Sequence, residues 1–212
     1  MGYSIKEIYF TLQGEGAHTG RAAVFCRFTG CNLWTGREQD RHKAACTFCD
    51  TDFLGTDGPG GGRFATEDDV VQAVLAAWPK TRTATPPYVV FTGGEPLLQL
   101  NTTLIAACKA AGIEVAIETN GTLPAPDRID WICVSPKPGS GMKQTNGDEL
   151  KLVFPQPDCP PSAFEHLDFT HFFLQPMDGP EQQQNIQRAA AYCQANPQWR
   201  LSLQTHKLIG LP

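Results

Sequence analysis

The sequence predicts an α/β domain with mainly parallel strands. Three observations carry this expectation: short apolar strand segments alternate with longer amphipathic helices, the polar motifs fall at strand ends, and no second domain or internal repeat breaks the order. Residues 3–12 and 22–28 read as the first two strands, the second leading directly into Cys31. The stretch 54–63 carries Gly55, Gly58, Pro59, Gly60, Gly61 and Gly62 and marks an irregular connection. A helix follows, with Thr66 as its cap, Asp69 at the reciprocal capping-box position and Val70, Val71, Val74 and Leu75 as its apolar face. The run 79–87 ends it.

Residues 88–92 form a buried strand, and a helix runs from about 96 to 111 on Leu97, Leu100, Leu104, Ala107, Cys108 and Ala111, closed by Gly112. Further strands are expected over 113–118, 131–135, 150–154 and 172–175. Ile186, Ala189, Ala190 and Cys193 make one face of a late helix that Asn196 and Pro197 end, and a last strand covers roughly 199–204.

With 212 residues and 41% hydrophobic composition, the chain can build one domain around a sizeable core. Seventeen Lys+Arg against 22 Asp+Glu, a formal charge of −5, argues against a nucleic-acid surface, which concentrates positive charge. No stretch near the start has the length of an export segment and no later run reaches membrane-spanning length, so a cytoplasmic protein without membrane contact is expected. In that setting the eight cysteines are expected to be free or metal-bound rather than paired. Cys26, Cys108, Cys133 and Cys193 sit in apolar patterns and read as small core residues.

Cys31, Cys46 and Cys49 stand apart as C-x14-C-x2-C after a strand. A cubane iron–sulfur cluster normally takes a thiolate on each of its four irons, so three thiolates leave one iron open to a substrate or cofactor. A structural zinc site completed by His42 is the rival reading of these residues alone.

Four further motifs decide between them: Thr92-Gly93-Gly94-Glu95-Pro96, Glu118-Thr119-Asn120-Gly121, Ser135-Pro136-Lys137 and Gln13-Gly14-Glu15-Gly16. The last is neither a phosphate loop nor a dinucleotide fingerprint, since the glycine spacing and the following lysine or helix are missing. Together with the cysteines they resemble the 7-carboxy-7-deazaguanine synthases, radical S-adenosylmethionine (SAM) enzymes of the queuosine and 7-deazapurine pathway, from the first strand to at least Gln175. Most radical SAM enzymes carry C-x3-C-x2-C; members of this narrower family share the enlarged first spacer seen here.

The resemblance implies a modified or incomplete (β/α)6 barrel of the radical SAM type, one core domain over 1–212 with an enlarged cluster loop at about 31–49 and a tail closing the substrate site. It implies a 4Fe-4S cluster on Cys31, Cys46 and Cys49. SAM is then held by Gly93, Gly94 and Glu95 at its methionine amino group, by Glu118 and Asn120 at ribose or methionine polar groups, and by Ser135, Lys137 and Gln175 along later strand ends. Leu12, Gln13, Gly14, Glu15, Gly16 and Thr92 are assigned to a pterin, with Arg27 paired to its 6-carboxylate. Thr51 is assigned to Mg2+, ahead of Asp50 and Asp52. His206 and Pro212 meet the substrate ring if the apolar tail folds back. The insert 32–45, with Trp34, Arg37, Arg41 and Lys43, reads equally as a reductant-docking surface or a solvated loop.

The implied reaction starts when a reduced cluster cleaves SAM to a 5'-deoxyadenosyl radical, which takes hydrogen from C6 of 6-carboxy-5,6,7,8-tetrahydropterin. Ring contraction and loss of ammonia then give 7-carboxy-7-deazaguanine. A flavodoxin or ferredoxin is the implied electron donor, and a homodimer the implied assembly. The competing enzyme reading is an activating enzyme that makes a glycyl radical on a protein partner; the non-enzymatic one is a zinc-stabilised interaction module.

Overall fold

The computed structural model describes residues 2–80 and 85–212. Its strands form one sheet of nine: β1 (Tyr3–Leu12), β2 (Ala22–Phe28), β3 (Gly62–Phe64), β4 (Tyr88–Gly93), β5 (Glu114–Thr119), β6 (Trp131–Val134), β7 (Asn146–Phe154), β8 (Asp168–Pro176) and β9 (Trp199–Leu201), in the order β3-β1-β2-β4-β5-β6-β7-β8-β9. β1 is antiparallel to both β2 and β3; from β2 onward every pairing is parallel. Helices α1 (Glu67–Ala77), α2 (Thr102–Ala110) and α3 (Gln182–Ala195) cover the outside, and a short α4 (Thr205–Ile209) lies in the tail. Among the described residues the β5–β6 and β6–β7 crossovers carry no helix and β7–β8 only a 3-10 turn, Pro161–Ala163, so the helical layer of the (β/α)6 pattern is incomplete.

Strand alternation explains both the core and the site. Val24, Cys26 and Phe28 of β2, Val89 and Phe91 of β4 and Val115 and Ile117 of β5 pack outward on Val70 and Val74 of α1 and on Leu104, Ile105 and Cys108 of α2. Val134, Leu150, Leu152, Leu174 and Trp199 form a second cluster with Ala189 of α3. The intervening positions face the other way: in register, Arg27 lies beside Thr92, Glu118 beside Cys133, and Cys133 beside Glu149. Polar side chains are therefore delivered to the concave side of the sheet because their neighbours in sequence are buried on the convex side.

Two segments close what the sheet leaves open. After β1 the chain crosses beneath the strands: Ala17 N donates to Glu149 Oε2 at 2.9 Å, and the His18 ring meets the Tyr88 hydroxyl at 2.9 Å with its centroid 4.0 Å from that of Trp131. Gly16 N donates to Ser202 Oγ at 2.9 Å and Thr205 N to the Gly14 carbonyl at 2.9 Å, which ties this arm to the segment after β9 at the other edge of the sheet.

β1 and β2 have the bounds expected, and Thr66 and Asp69 form the reciprocal capping box. The helix expected over 96–111 is divided into a 3-10 turn, Pro96–Leu98, and α2. Gln99 turns its side chain onto Ser4 N (2.8 Å) and the Thr29 carbonyl (2.9 Å), and Asn101 caps α2 by accepting from Leu104 N at 2.9 Å. β7 and β8 begin earlier than 150 and 172, while the last strand stops at Leu201 instead of about 204. Of the run 79–87 expected to end α1, residues 81–84 lie outside the described residues.

Candidate active site

Within the curve of the sheet lies a cavity of about 440 Å3. The cysteine loop supplies one wall. Cys31 follows β2, Cys46 and Cys49 stand on a turn in which Cys49 N donates to the Cys46 carbonyl at 3.3 Å, and all three line the cavity. None is in a disulfide. The Cys46 thiol donates to Cys49 and holds the latter down to about 6, against the opposing effect of burial. Among the described residues no three His, Cys, Asp or Glu side chains are grouped to hold a single metal ion. A cubane spreads its thiolates around a four-iron body, and three unpaired thiols on one wall fit that donor set.

The loop is braced from within. Arg41 donates to the Thr47 and Cys49 carbonyls at 2.9 and 3.0 Å, pairs with Glu38, and lies 4.3 Å over the Trp34 ring. Trp34 is buried edge-on against Phe53. These two residues hold the insert together.

β4 ends against the same loop. A Cβ on Gly94 would fall 2.2 Å from the Gly30 carbonyl oxygen and 2.7 Å from Cys31 Cβ, so glycine there lets the backbone lie directly on the root of the cysteine loop. Gly93 has a φ of +148°, and a Cβ would fall 2.3 Å from the Phe28 carbonyl oxygen. Both glycines line the cavity, as do Thr92, Glu118, Asn120, Ser135, Lys137 and Gln175.

Glu95 does not. It is 0% exposed, and its carboxylate accepts from Leu97 N (3.0 Å), Thr119 Oγ1 (2.8 Å) and Asn120 N (2.8 Å), pinning the end of β4 to the end of β5. Burial raises its pKa, partly offset by the Asn120 and Leu97 amides. All of its hydrogen bonds run to the strand ends of the cavity wall. Lys137 is half-buried, the desolvation lowers its pKa, and it donates to the Ser135 carbonyl and hydroxyl at 2.7 and 2.8 Å.

The opposite wall comes from the arm after β1. Leu12, Gln13, Gly14 and Glu15 line it; Gly16 does not, because it lies under the Glu149 carboxylate, where a Cβ would fall 2.3 Å from Oε1. Gln13 Nε2 donates to Glu118 Oε1 at 2.9 Å. Glu15 accepts from Lys151 at 2.5 Å and from Gln204 at 3.0 Å. Burial opposes its charge, but the Lys151 ammonium overrides this and holds the carboxyl well below its ordinary range, at about 2. Arg27 lines the cavity and pairs with Glu7 at 2.8 Å, which orients the guanidinium.

The tail lies against the arm and the end of β1. A Cβ on Gly14 would fall 2.0 Å from His206 Nδ1, so the imidazole rests on that glycine, and the Thr11 hydroxyl donates to the Pro212 carbonyl oxygen at 3.2 Å. Both His206 and Pro212 line the cavity. Lys207 bridges Asp50 (2.7 Å) and Asp178 (2.5 Å), and Asp52 is paired with Lys6 at 2.8 Å, so the carboxylates flanking Thr51 are already occupied.

Sequence reasoning passed over Lys151, Gln204 and Lys207. Lys151 had a readable signal: in Glu149-Leu150-Lys151-Leu152 charged and apolar residues alternate within a strand, which puts both charges on one face. Gln204 and Lys207 carried none, because their places follow from where the tail docks.

A family model for the radical SAM superfamily matches residues 42–133. Over 215 aligned residues the chain is 63% identical to a 7-carboxy-7-deazaguanine synthase of Bordetella pertussis, covering 100% of both chains. It is 61% identical, again with 100% of both covered, to one from Caulobacter vibrioides. The crystal structure of QueE from Escherichia coli matches with a TM-score of 0.71 at 26% identity, covering 97% of this chain and 95% of that one. The three-thiol wall and the arm therefore occur in a chain that belongs to the 7-carboxy-7-deazaguanine synthase family of the radical SAM superfamily.

Proposed function

We infer that this protein contracts the ring of 6-carboxy-5,6,7,8-tetrahydropterin to give 7-carboxy-7-deazaguanine and ammonia. The observation that carries the reading is a cavity with three free thiols on one wall and the hydrogen-bonded Glu15–Lys151–Gln204 constellation on the other, in a chain aligned end to end with relatives named for that product. When bound, a 4Fe-4S cluster and SAM supply the electron and the radical that open the chemistry.

The chain's own residues bind, orient and exclude water. Cys31, Cys46 and Cys49 would hold the cluster, and the cavity-lining backbone of Gly93 and Gly94 beside them would take the methionine end of SAM. Glu95 acts through the wall, fixing the β4 and β5 ends on which Gly94 and Asn120 stand. Glu118, Asn120, Ser135, Lys137 and Gln175 complete that half. Leu12, Gln13, Gly14 and Glu15 receive the 2-amino-4-oxo edge of the pterin: the Glu15 carboxylate accepts from adjacent N–H and amino donors. Arg27 pairs with the 6-carboxylate, Thr92 lies beside it in register, and His206 and Pro212 close over the ring. Thr51 would offer its hydroxyl oxygen to Mg2+, a hard cation that takes oxygen ligands. Holding the ring in one pose decides which hydrogen lies within reach.

The same reading makes 1–212 one catalytic domain and gives it an electron donor of the flavodoxin or ferredoxin type, a homodimeric assembly and a cytoplasmic setting. No helix among the described residues is long and apolar enough to cross a membrane.

The test is anaerobic reconstitution with iron and sulfide, then incubation with SAM, reductant, Mg2+ and 6-carboxytetrahydropterin. Equal amounts of ammonia and deazapurine are expected. SAM cleavage without either product would overturn the ring contraction in favour of an activating enzyme.

A further inference from the structure

Lys151 stands mid-strand in β7 with its side chain 5% exposed, its ammonium 2.5 Å from Glu15 Oε2 and 3.3 Å from Glu118 Oε1. A lysine this deep is costly unless paired, and here it is paired twice. Glu15 comes from the arm and Glu118 from β5, so one ammonium joins the two halves of the cavity. The groups facing this point from neighbouring elements are the carboxylates of Glu118 and Glu149, the Cys133 thiol, the Tyr88 hydroxyl, the amides of Gln175 and Gln204, and the more distant Lys137 ammonium. Without Lys151, the half-buried Glu15 and Glu118 and the buried Glu149 would share one region with no ammonium in contact, and repulsion together with desolvation would drive a proton onto Glu15.

We propose that Lys151 is a positioning residue for substrate recognition: its ammonium keeps the Glu15 carboxylate ionised and aimed into the cavity, so that two acceptor oxygens meet the adjacent donors of a 2-amino-4-oxo-pyrimidine edge. A protonated Glu15 would present a hydroxyl to one of those donors and lose the two-point match. The substrate part of this inference rests on the pterin reading above. The charge relation between Lys151 and Glu15 rests on geometry alone.

The experiment uses anaerobically prepared, cluster-loaded protein and the stable probe 6-carboxypterin, which has the same ring edge and carboxylate. Affinity is measured from about pH 5.5 to pH 7.0 for wild type, Lys151→Met, Lys151→Arg and Glu15→Gln. Each is normalised to wild type so that the probe's own titration cancels. The expected result for K151M is a loss that deepens as pH falls, approaching tenfold per unit below the new Glu15 pKa, while K151R follows wild type. In parallel, the infrared carboxylate band assigned by its disappearance in E15Q persists at pH 5.5 in wild type and is replaced by a protonated-acid band in K151M.

An even loss of affinity at every pH, with the carboxylate band retained in K151M, overturns the proposal and leaves Lys151 a purely structural role. Should K151M fail to fold, the wild-type infrared titration still decides: protonation of Glu15 at or above pH 5 refutes it. If wild type binds no 6-carboxypterin at any pH, the pterin reading fails, and the infrared band reports separately on whether Lys151 sets the charge of Glu15.

Discussion

Glu95 offers a sharp test of how the cavity wall is held. Glu95→Ala removes the acceptor of Leu97 N, Thr119 Oγ1 and Asn120 N in a region with no exposure. Leaving a buried donor unsatisfied costs about 1–3 kcal/mol, so three of them, with some relief from entering water, amount to about 3–6 kcal/mol. Against a total stability of about 5–15 kcal/mol that is a large share. Glu95→Gln is milder: its amide oxygen keeps the two donors now on Oε1, while its NH2 confronts the Asn120 amide, at about 1–3 kcal/mol. Anaerobic urea unfolding followed by far-ultraviolet circular dichroism reads the difference. With a slope of about 2 kcal/mol per molar, E95A should lower the midpoint by about 1.5–3 M and E95Q by about 0.5–1.5 M. A midpoint for E95A within about 0.5 M of wild type, with only SAM affinity lost, would refute the argument and make Glu95 a direct ligand contact.

Three further outcomes follow from the same geometry. Gly94→Ala places a methyl 2.2 Å from the Gly30 carbonyl oxygen and should displace the cysteine loop, seen as lost iron after reconstitution with the circular dichroism spectrum retained. Lys207→Ala cuts the ties from the tail to Asp50 and Asp178; two partly exposed pairs are worth about 1 kcal/mol together, so KM should rise about fivefold with kcat and unfolding midpoint little changed. Thr51→Val should raise the Mg2+ concentration needed for half-maximal activity without altering iron content, and an unchanged Mg2+ profile would remove Thr51 from the metal site.

How far the sequence could be read depended on whether a residue's surroundings were local. β1 and β2 were legible because their apolar spacing is regular, and α1 because its capping box lies within four residues. β7 begins before the expected 150 although Asn146, Gly147 and Asp148 are poor strand formers. Asp148 accepts from Ile132 N at 2.7 Å, in the adjacent strand β6, and the first residues of β7 pair with β8. The division of the helix at Gln99 was equally hidden, since its cause is a contact with Ser4, far away in sequence. In the site, the thiols, the strand-end glycines and the arm were legible as motifs. That Glu95 turns into the wall and Gly16 lies beneath Glu149 was not, because both depend on packing across the sheet.

The central claim is that three thiols on one wall of the cavity hold a cubane with one iron open to SAM. Electron paramagnetic resonance of the reduced, oxygen-free protein tests it most directly, with and without SAM. The account predicts a 4Fe-4S signal that changes when SAM is added and is lost when Cys31, Cys46 or Cys49 is replaced by alanine. A mononuclear zinc centre, or a cluster signal indifferent to SAM, would contradict it.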